Sequence, residues 1–235
     1  MSLLGISVAL DDVTCRTGGT TVLNGISLRV DEGEWLTLFG PSGSGKSALL
    51  RVLSGDLRPE SGTVAVMGEA PARAAQRTCH ITDKPTPPGR LGAHGALAWR
   101  LGRRGVPASQ YRETPESELT HGQRVALSIA GAIAADPALL LLDNVTAILP
   151  EPTVDRVFQY LDGKRAADGL TVIHATCSSR EAERADRVAV LHAGSLLTVE
   201  QPGHLLSHLA TDRITIEADN PEEVQRTARG IFDVE

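Results

Sequence analysis

The chain has 235 residues, of which 41% are apolar and 22% charged, with a formal net charge of −6. That length and balance describe one large globular domain, or one domain with a small insertion or tail, and exclude disorder, collagen and small disulfide scaffolds. An acidic chain offers no basic excess for holding nucleic-acid phosphates, and the dispersed Cys15, Cys79 and Cys177 form no CxxC pair for a zinc site or disulfide framework.

Residues 6–13 and 26–30 read as strands, with a turn at 17–20. A strand over Glu34–Phe39 runs into the glycine-rich segment Gly40–Gly45. A helix follows from Lys46, with Leu49, Leu50, Val52 and Leu53 on its buried side, and stops at Ser54-Gly55. Thr63–Met67 reads as a strand. The proline-rich residues 85–89 form a rigid loop, and Ala93–Arg103 can form a helix ahead of the polar stretch 107–118. Gln123–Ala135 has helical spacing. Ala138–Leu142, five apolar residues ending at Asp143, suggests a buried parallel strand. Then come a helix over 154–168, a strand over 171–175, a helix over 180–185, a hairpin around Gly194, and a small strand-helix-strand tail over 213–235. Strands alternating with helices imply an α/β fold with a mainly parallel sheet.

Gly40-Pro41-Ser42-Gly43-Ser44-Gly45-Lys46-Ser47 matches G-x-x-x-x-G-K-[ST] at every fixed position, and it lies between a predicted strand and a predicted helix. Glycines there let backbone N–H groups turn toward phosphate oxygens, and the helix start adds its positive dipole end. Lys46 can reach the β- and γ-phosphates, and Ser47 can hold Mg²⁺. Asp143, at the end of the apolar run, supplies an acidic residue for the metal.

With these motifs in hand, residues 5–205 resemble the nucleotide-binding domains of ATP-binding cassette (ABC) proteins. The P-loop carries the resemblance, together with the segment Glu118-Leu119-Thr120-His121-Gly122-Gln123-Arg124, the Asp143 strand, and Asp186-Arg187-Val188. The family signature LSGGQ stands here as LTHGQ. The resemblance implies a P-loop parallel core, an antiparallel N-terminal β-subdomain and a short helical subdomain inserted at about 84–135, with 206–235 as an extension. It also implies an ATP- and Mg²⁺-binding subunit that pairs with a second ATPase subunit and a membrane permease, peripheral on the cytoplasmic face. In such pairs, the signature residues Thr120, Gly122 and Gln123 complete the partner's ATP site.

Several positions depart from the family pattern. The catalytic glutamate that follows the acidic strand residue is replaced by Asn144, which cannot take a proton from water; a general base is worth typically about 10²–10⁴-fold. The switch histidine position falls on Cys177, a weak donor. The loop glutamine that reaches the metal falls on Asp83, which can still ligate magnesium. Pro150 stands where the next loop carries aspartate. No aromatic stands where the family stacks adenine, and Arg16 is the available substitute. The signature, by contrast, is nearly intact. Together these features predict a catalytically weakened half of a heterodimer. The rival readings are a soluble ABC-type regulatory or scaffold protein that binds ATP without driving transport, and an active ATPase with unusual residues. Arg90, Arg100, Arg103, Arg104 and Arg112 read as a solvated helix face or a permease-docking patch. The N-terminus lacks the features of a signal peptide, and no apolar run approaches the roughly 20 residues of a membrane helix.

Overall fold

The computed structural model describes residues 5–83 and 120–209. The expected helix over 93–103, the arginine cluster at 90–112, Glu118, Leu119 and the tail over 213–235 lie outside the described residues. The chain divides into two compact units, Met1–Pro202 and Gly203–Glu235.

β1 (Ile6–Thr17) and β2 (Thr20–Asp31) form a long hairpin, and β4 (Ser61–Val66) pairs with the other edge of β1, giving an antiparallel sheet of order β2-β1-β4. Both hairpin strands outrun the sequence reading. Their apolar residues alternate with exposed polar ones, and Val8, Leu10, Val13 and Cys15 face inward with Leu23, Ile26, Leu28 and Val30. That alternation suits a sheet packed on one face only.

The second sheet has order β5-β6-β7-β3-β8-β9. β3 (Trp35–Phe39), β5 (Thr78–Thr82), β6 (Leu139–Asp143), β7 (Thr171–Thr176) and β8 (Arg187–His192) run parallel, and β9 (Ser195–Glu200) returns antiparallel to β8. β6 and β7 are buried at every residue. This explains why β6 reads as an unbroken leucine run: both of its faces are covered.

Between β3 and β4 lies α1 (Lys46–Ser54), whose Leu49, Leu50 and Leu53 are fully buried. Each such side chain contributes about 1.5–3 kcal/mol over exposure. α2 (Pro71–Ala74) precedes β5; neither element was expected from the sequence. α3 (His121–Ala134) begins two residues earlier than the spacing of apolar residues suggested. The Thr120 hydroxyl accepts from the Gln123 backbone N–H at 3.3 Å, while the Gln123 side chain accepts from the Thr120 N–H at 2.8 Å. This reciprocal cap fixes the helix start. α4 (Glu151–Asp168) follows Pro150, α5 (Ser179–Ala182) follows β7, and α6 (Pro202–Leu209) follows β9.

Asp186-Arg187-Val188 has a structural task. The Asp186 carboxylate accepts from the Trp35 N–H at 2.8 Å, and the Asp186 N–H donates to the Trp35 carbonyl at 2.9 Å. Arg187 pairs with the buried Glu34 at 3.2 Å. Together they anchor the entry to β3, the strand that delivers the P-loop.

Candidate phosphate and metal site

β3 ends at Phe39 and α1 starts at Lys46, so the P-loop spans the gap between the sheet's C-terminal edge and a helix N-terminus. Two of its glycines are dictated by crowding. A Cβ on Gly40 would stand 2.2 Å from the Leu191 carbonyl oxygen, and one on Gly45 would stand 2.8 Å from that of Val22. Gly45 also has φ +106, a left-handed conformation that side-chain-bearing residues avoid. Among the described residues no side chain caps α1, and no acidic residue occupies its first turn. Its free N–H groups and dipole therefore favour an anion.

Lys46 is buried, at 7% exposed. Its ammonium donates to the carbonyl oxygens of Gly40 at 2.6 Å and Pro41 at 2.8 Å, with Ser44 Oγ at 3.4 Å. Among the described residues no carboxylate lies within ion-pair distance of it. A buried ammonium held by neutral carbonyls, with Asp143 acting on it only from beyond ion-pair distance, keeps most of its charge available, which is the electrostatic condition for binding phosphate.

Ser47 Oγ donates to Asp143 Oδ1 at 2.9 Å, joining the start of α1 to the end of β6. Burial raises the Asp143 pKa; the Ser47 hydrogen bond and the charges of His80 and Lys46 pull it back, and Asp83 pushes it up. A divalent cation would relieve that burial cost by supplying the missing positive charge. Among the described residues no group of three or more His, Cys, Asp or Glu is assembled to hold a metal. A cation here would take oxygen from Ser47 and Asp143 and complete its shell with phosphate and water. That arrangement suits Mg²⁺, which keeps several waters and few protein ligands. Asp83 stands in the bend after β5, half-buried.

Asn144 is half-buried and follows Asp143 with φ +53, a left-handed conformation that asparagine accepts more readily than most residues. Its N–H donates to the Ala175 carbonyl at 3.0 Å. Cys177 is exposed and follows β7. Its thiol donates to the Gly40 carbonyl at 3.2 Å and lies 3.7 Å from Lys46 Nζ. The structure thus brings the P-loop, Asp143, Asn144 and Cys177 to one edge of the sheet. Arg16 sits on the β1–β2 hairpin, half exposed, donating to the Gly19 carbonyl at 3.1 Å, with Glu60 at 4.0 Å.

Thr120, His121, Gly122 and Gln123 form the capped start of α3. A Cβ on Gly122 would come 3.0 Å from the Ile148 carbonyl, so this glycine also serves the packing of its own chain. The sequence places His174 within a strand, three residues before Cys177, and gives it no switch role; the structure joins it to Thr146, Thr176 and Glu181 in a buried polar group beside the site, a grouping that was not expected. A histidine in the middle of a short strand flanked by apolar residues was the available signal.

The family described as ABC transporter matches residues 23–87. The chain is 33% identical over 219 residues to the cobalt import ATP-binding protein CbiO of Rhodobacter capsulatus, covering 83% of this chain and 78% of that one. It is 32% identical over 212 residues to a putative ABC transporter ATP-binding protein of Bifidobacterium longum; the match covers 77% of this chain but spans only 27% of that relative. The solved structure of an ATP-binding subunit of an ABC transporter superposes with a TM-score of 0.76 at 19% identity, covering 88% of this chain and 95% of that one. The last match concerns the fold.

Proposed function

This chain belongs to the ABC transporter family of ATP-binding subunits, and on that premise we propose that it is the catalytically weakened half of an ATPase pair. One observation carries the reading. Lys46 lies in a cage of carbonyls and Ser47 is bonded to Asp143, as a nucleotide-binding site requires, whereas the flanking positions hold Asn144 and Cys177.

The P-loop amides, Lys46 and the α1 N-terminus bind the triphosphate of ATP. Ser47 and Asp143 would hold Mg²⁺, with Asp83 as a further candidate ligand. Bound there, the ion would neutralise phosphate charge. Asn144 has no basic atom to accept a proton from water, and its amide can only orient one. The Cys177 thiol offers a weak hydrogen bond near the γ-phosphate. Nucleotide is therefore retained as a clamp and hydrolysed slowly.

The capped start of α3, with Thr120, Gly122 and Gln123, faces a second ATPase subunit and completes its site, where turnover takes place. The pair acts on a membrane permease from the cytoplasmic face. Among the described residues no helix is long and apolar enough to cross a membrane.

The test is twofold. The purified chain should bind Mg·ATP and release phosphate far below one turnover per second, against typical enzyme rates of about 1–10³ per second. Affinity purification from membranes should bring down a second nucleotide-binding subunit and a permease. Several turnovers per second by the isolated chain would remove the weakened-half reading, and its recovery free of membrane partners would favour a regulatory role.

A further inference from the structure

Beside the phosphate site, one carboxylate gathers hydrogen bonds from two separate loops. Glu181 Oε2, on α5, accepts from Thr176 Oγ1 at 2.6 Å and from Thr146 Oγ1 at 2.8 Å. Thr176 is the last residue of β7, directly before Cys177. Thr146 opens the 3₁₀ turn Thr146–Ile148, three residues after Asp143. Both threonines are buried, at 4% and 3% exposed for Thr146 and Thr176.

The proton inventory fixes the roles. Thr176 Oγ1 accepts from the Ser178 N–H at 3.0 Å, so its own hydrogen is free to go to Glu181. Thr146 likewise spends its single hydrogen on Glu181. His174 Nε2, 3.3 Å from Thr146 Oγ1, therefore donates to it, which leaves Nδ1 as the proton-free nitrogen. Nδ1 is indeed buried without a partner among the described residues. Both threonine hydroxyls are thereby committed, and among the described residues Glu181 is the acceptor that both loops share.

These loops bracket the phosphate cradle. The Thr176 loop places Cys177 against the Gly40 carbonyl. The Thr146 turn follows Asn144 and presents the Ile148 carbonyl to Gly122 at the start of α3. We propose that Glu181 is a positioning residue for the nucleotide site, holding the Cys177 loop and the Thr146–Ile148 turn in one fixed spacing through its two threonine hydrogen bonds. This rests on the reading of Gly40–Ser47 as the nucleotide site.

Two readouts test it: affinity for a fluorescent ATP analogue with Mg²⁺, and the rate at which N-ethylmaleimide alkylates Cys177 in nucleotide-free protein, followed by peptide mass spectrometry. Glu181→Ala should weaken nucleotide affinity about tenfold, the scale set by losing buried charge-assisted hydrogen bonds. It should also speed alkylation several-fold, because Cys177 leaves Gly40. Glu181→Gln keeps an acceptor oxygen and should recover most of both. Thr146→Val and Thr176→Val should each weaken affinity in the parent and have little further effect in the Glu181→Ala background. Equal threonine effects in both backgrounds, or a Glu181→Ala protein with a lowered Tm but parental affinity and alkylation, would overturn the proposal. If the parent protein binds no nucleotide, or Lys46→Ala binds like the parent, the nucleotide reading fails; the alkylation rates still decide the role of Glu181.

Discussion

Cys177 donates its thiol hydrogen to the carbonyl oxygen of Gly40, 3.2 Å away, so the residue after β7 rests on the first residue of the P-loop. The same sulfur lies 3.7 Å from the Lys46 ammonium. The side chain at this position thus lies beside the lysine proposed to bind the terminal phosphate, but it brings a weak donor with no second nitrogen to orient it.

Lys46→Ala removes the buried charge at the centre of this arrangement. Nucleotide affinity should fall at least tenfold, and by about a hundredfold if the full worth of a charge-assisted contact is lost. Isothermal titration of parent and variant with Mg·ATP measures it. Equal affinities would place the nucleotide elsewhere.

Restoring a carboxylate after Asp143 should not restore hydrolysis. Asn144 has φ +53, which asparagine tolerates; glutamate there pays about 1 kcal/mol of left-handed strain and still faces Cys177. Asn144→Glu should leave phosphate release near the parental rate, and Asn144→Glu with Cys177→His should exceed either single variant. A single Asn144→Glu protein turning over several times per second would show that Cys177 is no obstacle.

Much of this was written in local sequence. The β6 leucine run announced a strand covered on both faces, and the P-loop was fixed by residue type and spacing. The hairpin strands were legible only in part, because their exposed polar residues at 16–17 and 20–21 look like loop. β5 was not legible: Thr78-Cys79-His80-Ile81-Thr82 is short and mixed, and it is made a strand by pairing with β6. The start of α3 could have been read from Thr120-x-x-Gln123, whose reciprocal cap outweighs the later onset of apolar spacing. Glu181 was beyond reach, because in Ser-Arg-Glu-Ala-Glu-Arg it looks like any exposed helix charge. Its partners are 5 and 35 residues away.

His174 should make the protein acid-sensitive. Burial lowers its pKa from 6.5 to about 3. In the unfolded chain the imidazole takes up a proton near its ordinary pKa; in the fold it stays neutral. Below 6.5 the unfolded state binds more protons, so the stability that is complete above that pH is lost as pH falls toward 3, at about 1.4 kcal/mol per unit. Asp143 and Glu34, whose pKa values burial raises, act in the opposite sense in parent and variant alike. His174→Leu should therefore lose less stability than the parent between about pH 7 and pH 5, measured by urea midpoints. Parallel pH curves would mean that the imidazole is protonated within the fold.

If the protein is the weakened half of a pair, damage to its two faces should have unequal effects. Gly122 is a poor probe, because a side chain there meets the Ile148 carbonyl of its own chain, and Thr120 and Gln123 are needed to cap α3. His121 is exposed at the first position of the helix. His121→Glu adds a carboxylate where the helix dipole welcomes it, by about 0.3–1 kcal/mol, so the variant should fold as well as the parent or better. The same carboxylate repels the phosphates of a partner's ATP approaching the signature, and turnover of the reconstituted complex should fall at least tenfold. Asn144→Gly, in contrast, keeps the left-handed backbone and removes only a side chain that activates no water; turnover should stay within about twofold. The measurement is phosphate release by the two reconstituted complexes, with Tm and partner binding checked on each. A complex stopped by Asn144→Gly yet indifferent to His121→Glu would make this chain's own P-loop the working site.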